Sequence, residues 1–247
     1  MILKTQLNIV HGLNHCAFLY FLYSTNNYWL LLISIAIYNL IIMVGVSGGL
    51  HRYFTHKSFN TSIFWEKVML IVSVPATLGT PLTWVAGHRL HHAYSDTDKD
   101  PHSPYSVGFI NSYVHNWKDL KVSSSIIVDI MRNKTAKFIH DHYIKLLALY
   151  ALVLYLIDPT VGMICYSIPA VFIFHVTGLV DSICHTYGYR NFDTKDNSKN
   201  NILVNMLSVG EGLHNNHHGT PSSPKFSTTK NEVDLTWYFI KIIGREK

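Results

Sequence analysis

The chain has 247 residues, of which 48% are apolar and only 14% are charged, against roughly 25% charged residues in soluble globular domains. This composition excludes an ordinary soluble enzyme, and the apolar content excludes intrinsic disorder. The net charge of +5 suits an anionic lipid surface or substrate and is too small to indicate nucleic acid, while three cysteines without a CxxC pair argue against a disulfide scaffold or a cysteine-ligated zinc module.

The first predicted element is a helical hairpin inside residues 5–50, which carry no Asp, Glu, Lys or Arg. Its two spans are expected at about residues 7–23 and 28–47, because a helix needs about 20 apolar residues to cross a bilayer. The first span is short and contains His11 and His15. Polar side chains are costly in lipid, so these histidines are expected to face the interior of the bundle.

Residues 63–82 come next and predict an amphipathic helix along the cytoplasmic membrane surface. An apolar face that includes Phe64 and Val68 is interrupted by Glu66 and Lys67, and two prolines bend the segment. This pattern is typical of a helix that lies in the interface plane and does not form a fifth span.

A second hairpin is predicted from residues 146–180, where Asp158 is the only charged residue. The Asp158-Pro159 pair breaks this stretch into spans at about residues 143–157 and 160–180. The tips of both hairpins lack Lys and Arg, so all 20 basic residues lie on the opposite side, which the positive-inside rule makes cytoplasmic.

The sequence therefore predicts an all-α membrane protein with one domain over residues 1–247. Four spans form two hairpins, both termini are cytoplasmic, and a cytoplasmic helical cap comprises residues 51–142 and 181–247. The first hairpin is expected to act as an uncleaved insertion signal, because no basic segment followed by a small-residue cleavage site opens the chain.

Histidine is unusually frequent, with 16 residues, and three clusters fall on the predicted cytoplasmic side. In each HxxHH cluster the histidines are three and four residues apart, so a helix can aim two or three imidazoles at one point. His51 and His56 lie about 140° apart on an α-helix, so they could serve two metal ions, or the helix could end between them. The clusters are His51 and His56; His88, His91 and His92; and His214, His217 and His218.

His185 follows the last predicted span, so eight or nine imidazoles can meet just above the bilayer. This number exceeds the coordination of one ion, and a zinc hydrolase needs only three protein ligands. Two iron ions that activate O₂ suit an all-nitrogen site beside acyl chains, whose C–H bonds resist acid–base chemistry. A metal transporter or sensor is the alternative from another class, but its ligands should lie along a path inside the bilayer.

The other histidines are interpreted as structural, although His175 could line a pocket. They are His11, His15, His102, His115, His140, His142 and His175.

Three segments resemble one family, the integral-membrane acyl-CoA and acyl-lipid desaturases, in the Δ9 stearoyl-CoA-type branch. The resemblance runs from about Tyr28 to His218, and His185-Thr-Tyr-Gly-Tyr-Arg190 is similar to that branch's additional histidine motif. The three segments are Gly49-Leu-His51-Arg-Tyr-Phe-Thr-His56, the stretch from Trp84 to His102 with His88-Arg-Leu-His91-His92, and Val209-Gly-Glu-Gly-Leu-His214-Asn-Asn-His217-His218.

The resemblance implies four spans, a cytosolic cap and a di-iron centre. Where many members carry an Asn that holds a water on one iron, this chain has Asp181, which is expected to act through a water or as a direct ligand. The nine ligands implied are His51, His56, His88, His91, His92, His185, His214, His217 and His218.

The implied reaction is an O₂-dependent desaturation that forms a cis double bond, at Δ9, in a saturated acyl chain. Electrons are expected from a separate donor, cytochrome b5 or ferredoxin, because no nucleotide-binding glycine motif is present. The acyl carrier is expected to be CoA, a lipid or acyl carrier protein, and the short N-terminal segment, which lacks the CoA-contacting tail of longer members, argues against CoA. A membrane di-iron hydroxylase of fatty acids, alkanes or sterols is the alternative enzyme.

Regiochemistry requires a tunnel that ends at a fixed depth. Asn39 and Met43 share a helix face on the second span, so one of them is expected to close the tunnel. Trp84, at the start of the second motif, is assigned to the substrate route with them.

Overall fold

The computed structural model describes residues 2–118 and 122–245. These residues are mostly helical, and their only paired strands are Asn60–Thr61 and Gly244–Arg245, which are antiparallel. The α-helices are α1 (Ile2–Ser24), α2 (Leu30–Leu40), α3 (Ile63–Ser73), α4 (Pro81–Tyr94), α5 (Pro104–Val107), α6 (Phe109–Tyr113), α7 (Val128–Met131), α8 (Lys134–Ile157), α9 (Pro159–Gly162), α10 (Ile168–Ile183), α11 (Ile202–Leu207), α12 (His214–Gly219) and α13 (Leu235–Ile243).

Two π-helices and two short 3₁₀ segments complete the helical structure of the described residues. The π-helices continue neighbouring α-helices, α2 into Ile41–Thr55 and α9 into Met163–Ser167. The 3₁₀ segments are Val74–Ala76 and Ser124–Ile127.

Three helices of the described residues are long and apolar enough to cross a membrane: Leu30–Thr55, Lys134–Ile157 and Pro159–Ile183. They contain the second, third and fourth predicted spans but are longer, and the second runs on through His51. The first predicted span forms the 23-residue helix α1. The polar residues of α1, which include His11 and His15, lower its mean hydropathy, so it is not one of these three helices.

The predicted break between the third and fourth spans is present. The Asp158 side chain accepts a hydrogen bond from the Thr160 amide at 2.7 Å, and Pro159 occupies the first turn of α9. An Asp cap followed by Pro starts a helix effectively, because the cap satisfies a free amide and proline needs none.

The prediction of one surface helix over residues 63–82 is wrong in its extent. The helix ends near Ala76, Thr77 adopts a left-handed conformation with φ of 59°, and α4 starts at Pro81 behind a capping box formed by Thr80 and Thr83. The two helical pieces meet at 87°, and together they could also form one broken span. The bend turns α4 inward, so that it carries its histidines towards the bundle.

The π-helix Ile41–Thr55 is buried along most of its length and packs against α3. Gly45 permits this packing. A Cβ atom there would lie 2.7 Å from the Ser73 backbone nitrogen, which is closer than real atoms come.

Candidate metal centre

The nine predicted histidine ligands converge as two separate groups. Within each group the candidate ligand nitrogens lie within 4.8 Å of one another. We call the first the five-histidine group and the second the four-histidine group. The five-histidine group contains His51, His56, His88, His92 and His217; the four-histidine group contains His91, His185, His214 and His218.

The Nε2 atoms of each group face a common point. In the five-histidine group, His217 Nε2 lies 2.9 Å from His51 Nε2 and 2.8 Å from His92 Nε2. In the four-histidine group, His185 Nε2 lies 3.1 Å from His214 Nε2. Two nitrogens that bind one metal at right angles, each about 2.1 Å away, are separated by about 3 Å. The spacing therefore suits one ion in each group.

Each HxxHH motif divides between the two groups. On α4, His88 and His92 are four residues apart and enter the five-histidine group, whereas His91 enters the other. On α12 the assignment is reversed, since His214 and His218 join the four-histidine group and His217 the first. The two helices therefore link the groups to each other.

The structure places His51 and His56 in the same five-histidine group, with ring centroids 5.0 Å apart, and not in two groups that serve different ions. The other expectation is met, because the π-helix ends at Thr55, between the two residues. The His56 amide still donates to the His51 carbonyl oxygen at 3.1 Å. Hydrogen bonds from residue i to i+5 bring residues five apart onto one side.

Four of the nine histidines donate Nδ1–H to a buried or half-buried carboxylate. The pairs are His51 with Glu211 at 2.5 Å, His91 with Asp100 at 2.8 Å, His185 with Asp96 at 3.0 Å and His218 with Asp196 at 2.8 Å. Carboxylates in this position fix the tautomer of a metal-binding histidine and leave the Nε2 lone pair for the metal.

His91 and His218 show that these residues fit bound metal. Both rings donate Nδ1–H to a carboxylate, so in their neutral forms both Nε2 atoms carry lone pairs, and these atoms are 3.3 Å apart. Two lone pairs at that distance repel each other unless a cation lies between them. A third set, His91, Asp100 and His102, is also close enough for a metal, but Asp100 already accepts the His91 proton.

Burial keeps His214 and His217 neutral and thus able to bind a metal. Removal from water lowers the pKa of His214 and His217 well below the usual range, and neighbouring histidines add to this effect. For Glu211, burial would raise the pKa, but His51 and Arg52 outweigh it and lower the pKa to about 2. The carboxylate is therefore ionised beside its histidine.

Arg52, which is fully buried, holds this carboxylate in place. Its guanidinium lies 3.3 Å from Glu211, 2.9 Å from Asp234 and 3.6 Å above the centre of the Phe226 ring. Sequence reasoning missed Arg52 and the four carboxylates. For Arg52 and Glu211 the available signal was their position beside the motifs, since Arg52 follows His51 and Glu211 precedes His214 by three residues. Asp196 had no such signal.

One mostly apolar cavity touches both groups. Its wall includes His51 and His88 of the five-histidine group and His214 of the four-histidine group. Ile42 and Val46, from the long helix Leu30–Thr55, also line it. Trp84 stacks on His88, with ring centroids 4.9 Å apart, and lines this cavity. We call it the inner cavity.

An outer cavity of about 280 Å³ continues from the inner one, sharing Trp84 and Trp117 in its wall. Its wall also contains Lys4 and Lys118, and both ammonium groups donate to backbone carbonyl oxygens, at 2.8 Å each. The combined route is apolar beside the histidines and carries positive charge farther out.

Three predicted site residues lie outside the two groups. Asp181 lines the inner cavity and faces His102 Nδ1 at 3.7 Å and His115 Nδ1 at 3.8 Å. Asn39 donates to the Ile35 carbonyl oxygen of its own helix at 2.8 Å, and Met43 packs within the apolar core. Neither Asn39 nor Met43 lines a described cavity, so the geometry does not support their assignment to the tunnel.

The remaining histidines stay outside the two groups, although His102 and His115 line the inner cavity. His102 stacks on His91 with centroids 4.3 Å apart. His140 bonds to Thr80, and His142 bonds to the Phe138 carbonyl oxygen.

Comparison with known proteins gives one consistent result. A sequence model of the fatty acid desaturase family matches residues 27–228. An acyl-CoA 5-desaturase of Anemone leveillei is 34% identical over 233 residues, which cover 90% of this chain and 70% of that protein. An sn-1 stearoyl-lipid 9-desaturase of Anabaena variabilis is 33% identical over 251 residues, with 97% and 92% covered. A protein of the same name from Synechocystis is 33% identical, with 81% and 64% covered.

Proposed function

The chain belongs to the fatty acid desaturase family, and from that premise we propose that it inserts a cis double bond, at Δ9, into a saturated acyl chain with O₂ and externally supplied electrons. It is a membrane oxidoreductase. The observation that carries the proposal is a single apolar cavity whose wall includes histidines of both groups.

The five-histidine and four-histidine groups would each hold one iron ion. An iron pair bound there would supply the O₂ activation that breaks unactivated C–H bonds. The imidazoles present Nε2, and the carboxylates behind four of them fix the ring orientation. Asp181 remains a candidate for a water-mediated contact, since its carboxylate lies in the cavity wall.

The chain's own contribution is to position the substrate and exclude water. Ile42, Val46 and Trp84 would hold the acyl chain beside His51, His88 and His214, with two neighbouring methylene groups facing the metals. An apolar wall also keeps bulk water away from the reacting carbons. The far part of the chain would lie beside Ile42, where Tyr38 and Ile173 close the packed core.

The proposal includes the topology and partners expected from the sequence. The chain would cross the membrane four times, counting α1, with both termini and the metal centre on the cytoplasmic side. A separate cytochrome b5 or ferredoxin would supply two electrons for each double bond. The acyl chain would arrive on CoA, a lipid or acyl carrier protein.

The test is expression in a host that lacks unsaturated chains, followed by gas chromatography of the total fatty acids and metal analysis of the purified protein. We expect a monounsaturated product and two irons per chain. His88→Ala should abolish the product. His142→Ala should not, because His142 lies on α8 outside both histidine groups. A hydroxylated product would favour the hydroxylase alternative, and full activity in His88→Ala would contradict the ligand assignment.

A further inference from the structure

A groove runs along α1 on the outside of the bundle, beside the outer cavity. It has a volume of about 540 Å³ and is lined by Asn8, His11, Gly12, His15, Asn116 and Phe174 among others. We call it the α1 groove. Asn8, His11 and Phe174 also line the outer cavity, so the groove is a side branch of the proposed acyl route.

The α1 groove opens sideways. Between Asn8 and His15 it follows α1 for seven residues, or about 10 Å. Ile9 and Leu13, which flank Gly12 on α1, are 59% and 65% exposed. Large apolar side chains exposed on a helix of a membrane protein face lipid, so this branch leads towards the bilayer.

The chemistry of the groove wall suits uncharged polar groups. Its wall combines imidazole and amide side chains with no Lys or Arg among the described lining residues. Cationic side chains occur only at the outer cavity, as Lys4 and Lys118. A charged phosphate would therefore be held at the outer cavity, and neutral ester groups would suit the groove.

A second observation concerns Trp117, which lines both the outer and the inner cavity. Its indole Nε1–H is buried and has no hydrogen-bond partner among the described residues. A buried donor without a partner costs free energy unless a ligand or water accepts its proton. An ester carbonyl oxygen of a substrate passing this neck would be such an acceptor.

We propose that the α1 groove holds the glycerol-ester region of a two-chain membrane lipid, whose one acyl chain enters the inner cavity past Trp117. The second acyl chain follows the exposed face of α1 into the bilayer. This inference rests on the proposed function and selects a membrane glycerolipid as the acyl carrier. Acyl-CoA has no second acyl chain that could follow the exposed face of α1 into the bilayer.

Gly12 allows a sharp test. A Cβ atom at Gly12 meets nothing within 4 Å, so Gly12→Phe can fill the groove without disturbing protein contacts. Cys16 is exposed on α1 four residues further on and lines no described cavity, so Cys16→Phe is the matched control. Both are studied in the iron-loaded full chain in detergent, with binding of distearoylphosphatidylglycerol, monogalactosyldistearoylglycerol and stearoyl-CoA measured without an electron donor.

We expect the wild type to bind at least one of the two-chain lipids. Gly12→Phe should weaken that binding at least tenfold while changing stearoyl-CoA binding less than twofold, and Cys16→Phe should change neither. Equal weakening of lipid and stearoyl-CoA, no effect of Gly12→Phe, or a wild type that binds only stearoyl-CoA would each overturn the inference.

Turnover is measured separately with an electron donor. A protein that binds the lipid in the α1 groove but forms no double bond would refute the proposed function and leave the groove assignment intact. A protein that desaturates stearoyl-CoA but does not bind the two-chain lipids would refute the groove assignment and leave the proposed function intact.

Discussion

Glu211 accepts a hydrogen bond from His51 at 2.5 Å and forms an ion pair with Arg52 at 3.3 Å. It therefore holds one imidazole of the five-histidine group without touching the metal position itself. The charge of Arg52 keeps the carboxylate ionised, and Asp234 shares that charge from the other side. A carboxylate that accepts a hydrogen bond from a metal-binding histidine fixes the orientation of its ring.

Glu211→Ala should weaken iron binding at the five-histidine group by about 10- to 100-fold, the usual cost of losing such a partner. The four-histidine group should keep its ion, because its own carboxylates are untouched. Iron retention against increasing chelator, followed by elemental analysis, measures both. Asp141→Ala is the control, since Asp141 pairs only with exposed Lys137. Equal chelator resistance in Glu211→Ala and wild type would show that Glu211 has no such role.

Asp181→Asn should keep both iron equivalents. In the structure Asp181 faces His102 and His115 and belongs to neither histidine group, so removal of its charge leaves all nine imidazoles in place. An amide can still hold a water. Elemental analysis decides: loss of one equivalent in Asp181→Asn would identify the carboxylate as a direct ligand.

The π-helix Ile41–Thr55 is the element on which the five-histidine group depends. The apolar pattern predicted a helix here but not its type. An uncharged run of residues does not distinguish backbone hydrogen bonds between residues four apart from those between residues five apart. The helix packs closely there, as Gly45 lies against the backbone of Ser73. By contrast, the Asp158-Pro159 break was predictable because its cause is local.

Gly45→Ala should destabilise the protein by about 1–3 kcal/mol or more, since an added methyl group would overlap backbone atoms at Ser73 and Val72. The same substitution at Gly12 has open space around it and removes a helix glycine, so it should not lower stability. Thermal denaturation of the two purified variants compares them. Equal denaturation temperatures would show that α3 can move away from the π-helix without cost.

At the scale of the whole molecule, convergence of the histidines was predictable from their spacing and from the charge pattern, which predicts one membrane side for all of them. Their division into five and four was not, because it depends on how α4 and α12 cross. Two of the carboxylates are distant in the sequence from the histidines they hold, so no local pattern pairs Asp196 with His218 or Asp96 with His185. The bend near Thr77 had a local signal in Pro75 and Pro81, but its angle of 87° did not.

The depth of the inner cavity should determine the length of the acyl chain that the protein accepts. Val46 and Ile42 line the cavity on the helix that carries His51, five and nine residues before that histidine. Beyond them Tyr38 is buried, and its hydroxyl donates to the Leu207 carbonyl oxygen, which ties the closed end to α11. An acyl chain that passes the histidines must therefore end against this wall.

Val46→Phe should shift the products to shorter chains, because the larger ring shortens the space beyond the metals, and Ile42→Ala should admit longer ones. Met43→Phe is the control, since Met43 lies on the same helix but outside the described cavities. Gas chromatography of the products in a host that offers saturated chains of several lengths provides the measurement. If Met43→Phe changed the distribution and Val46→Phe did not, the acyl chain would follow the face of Asn39 and Met43, and the inner cavity would not be its route.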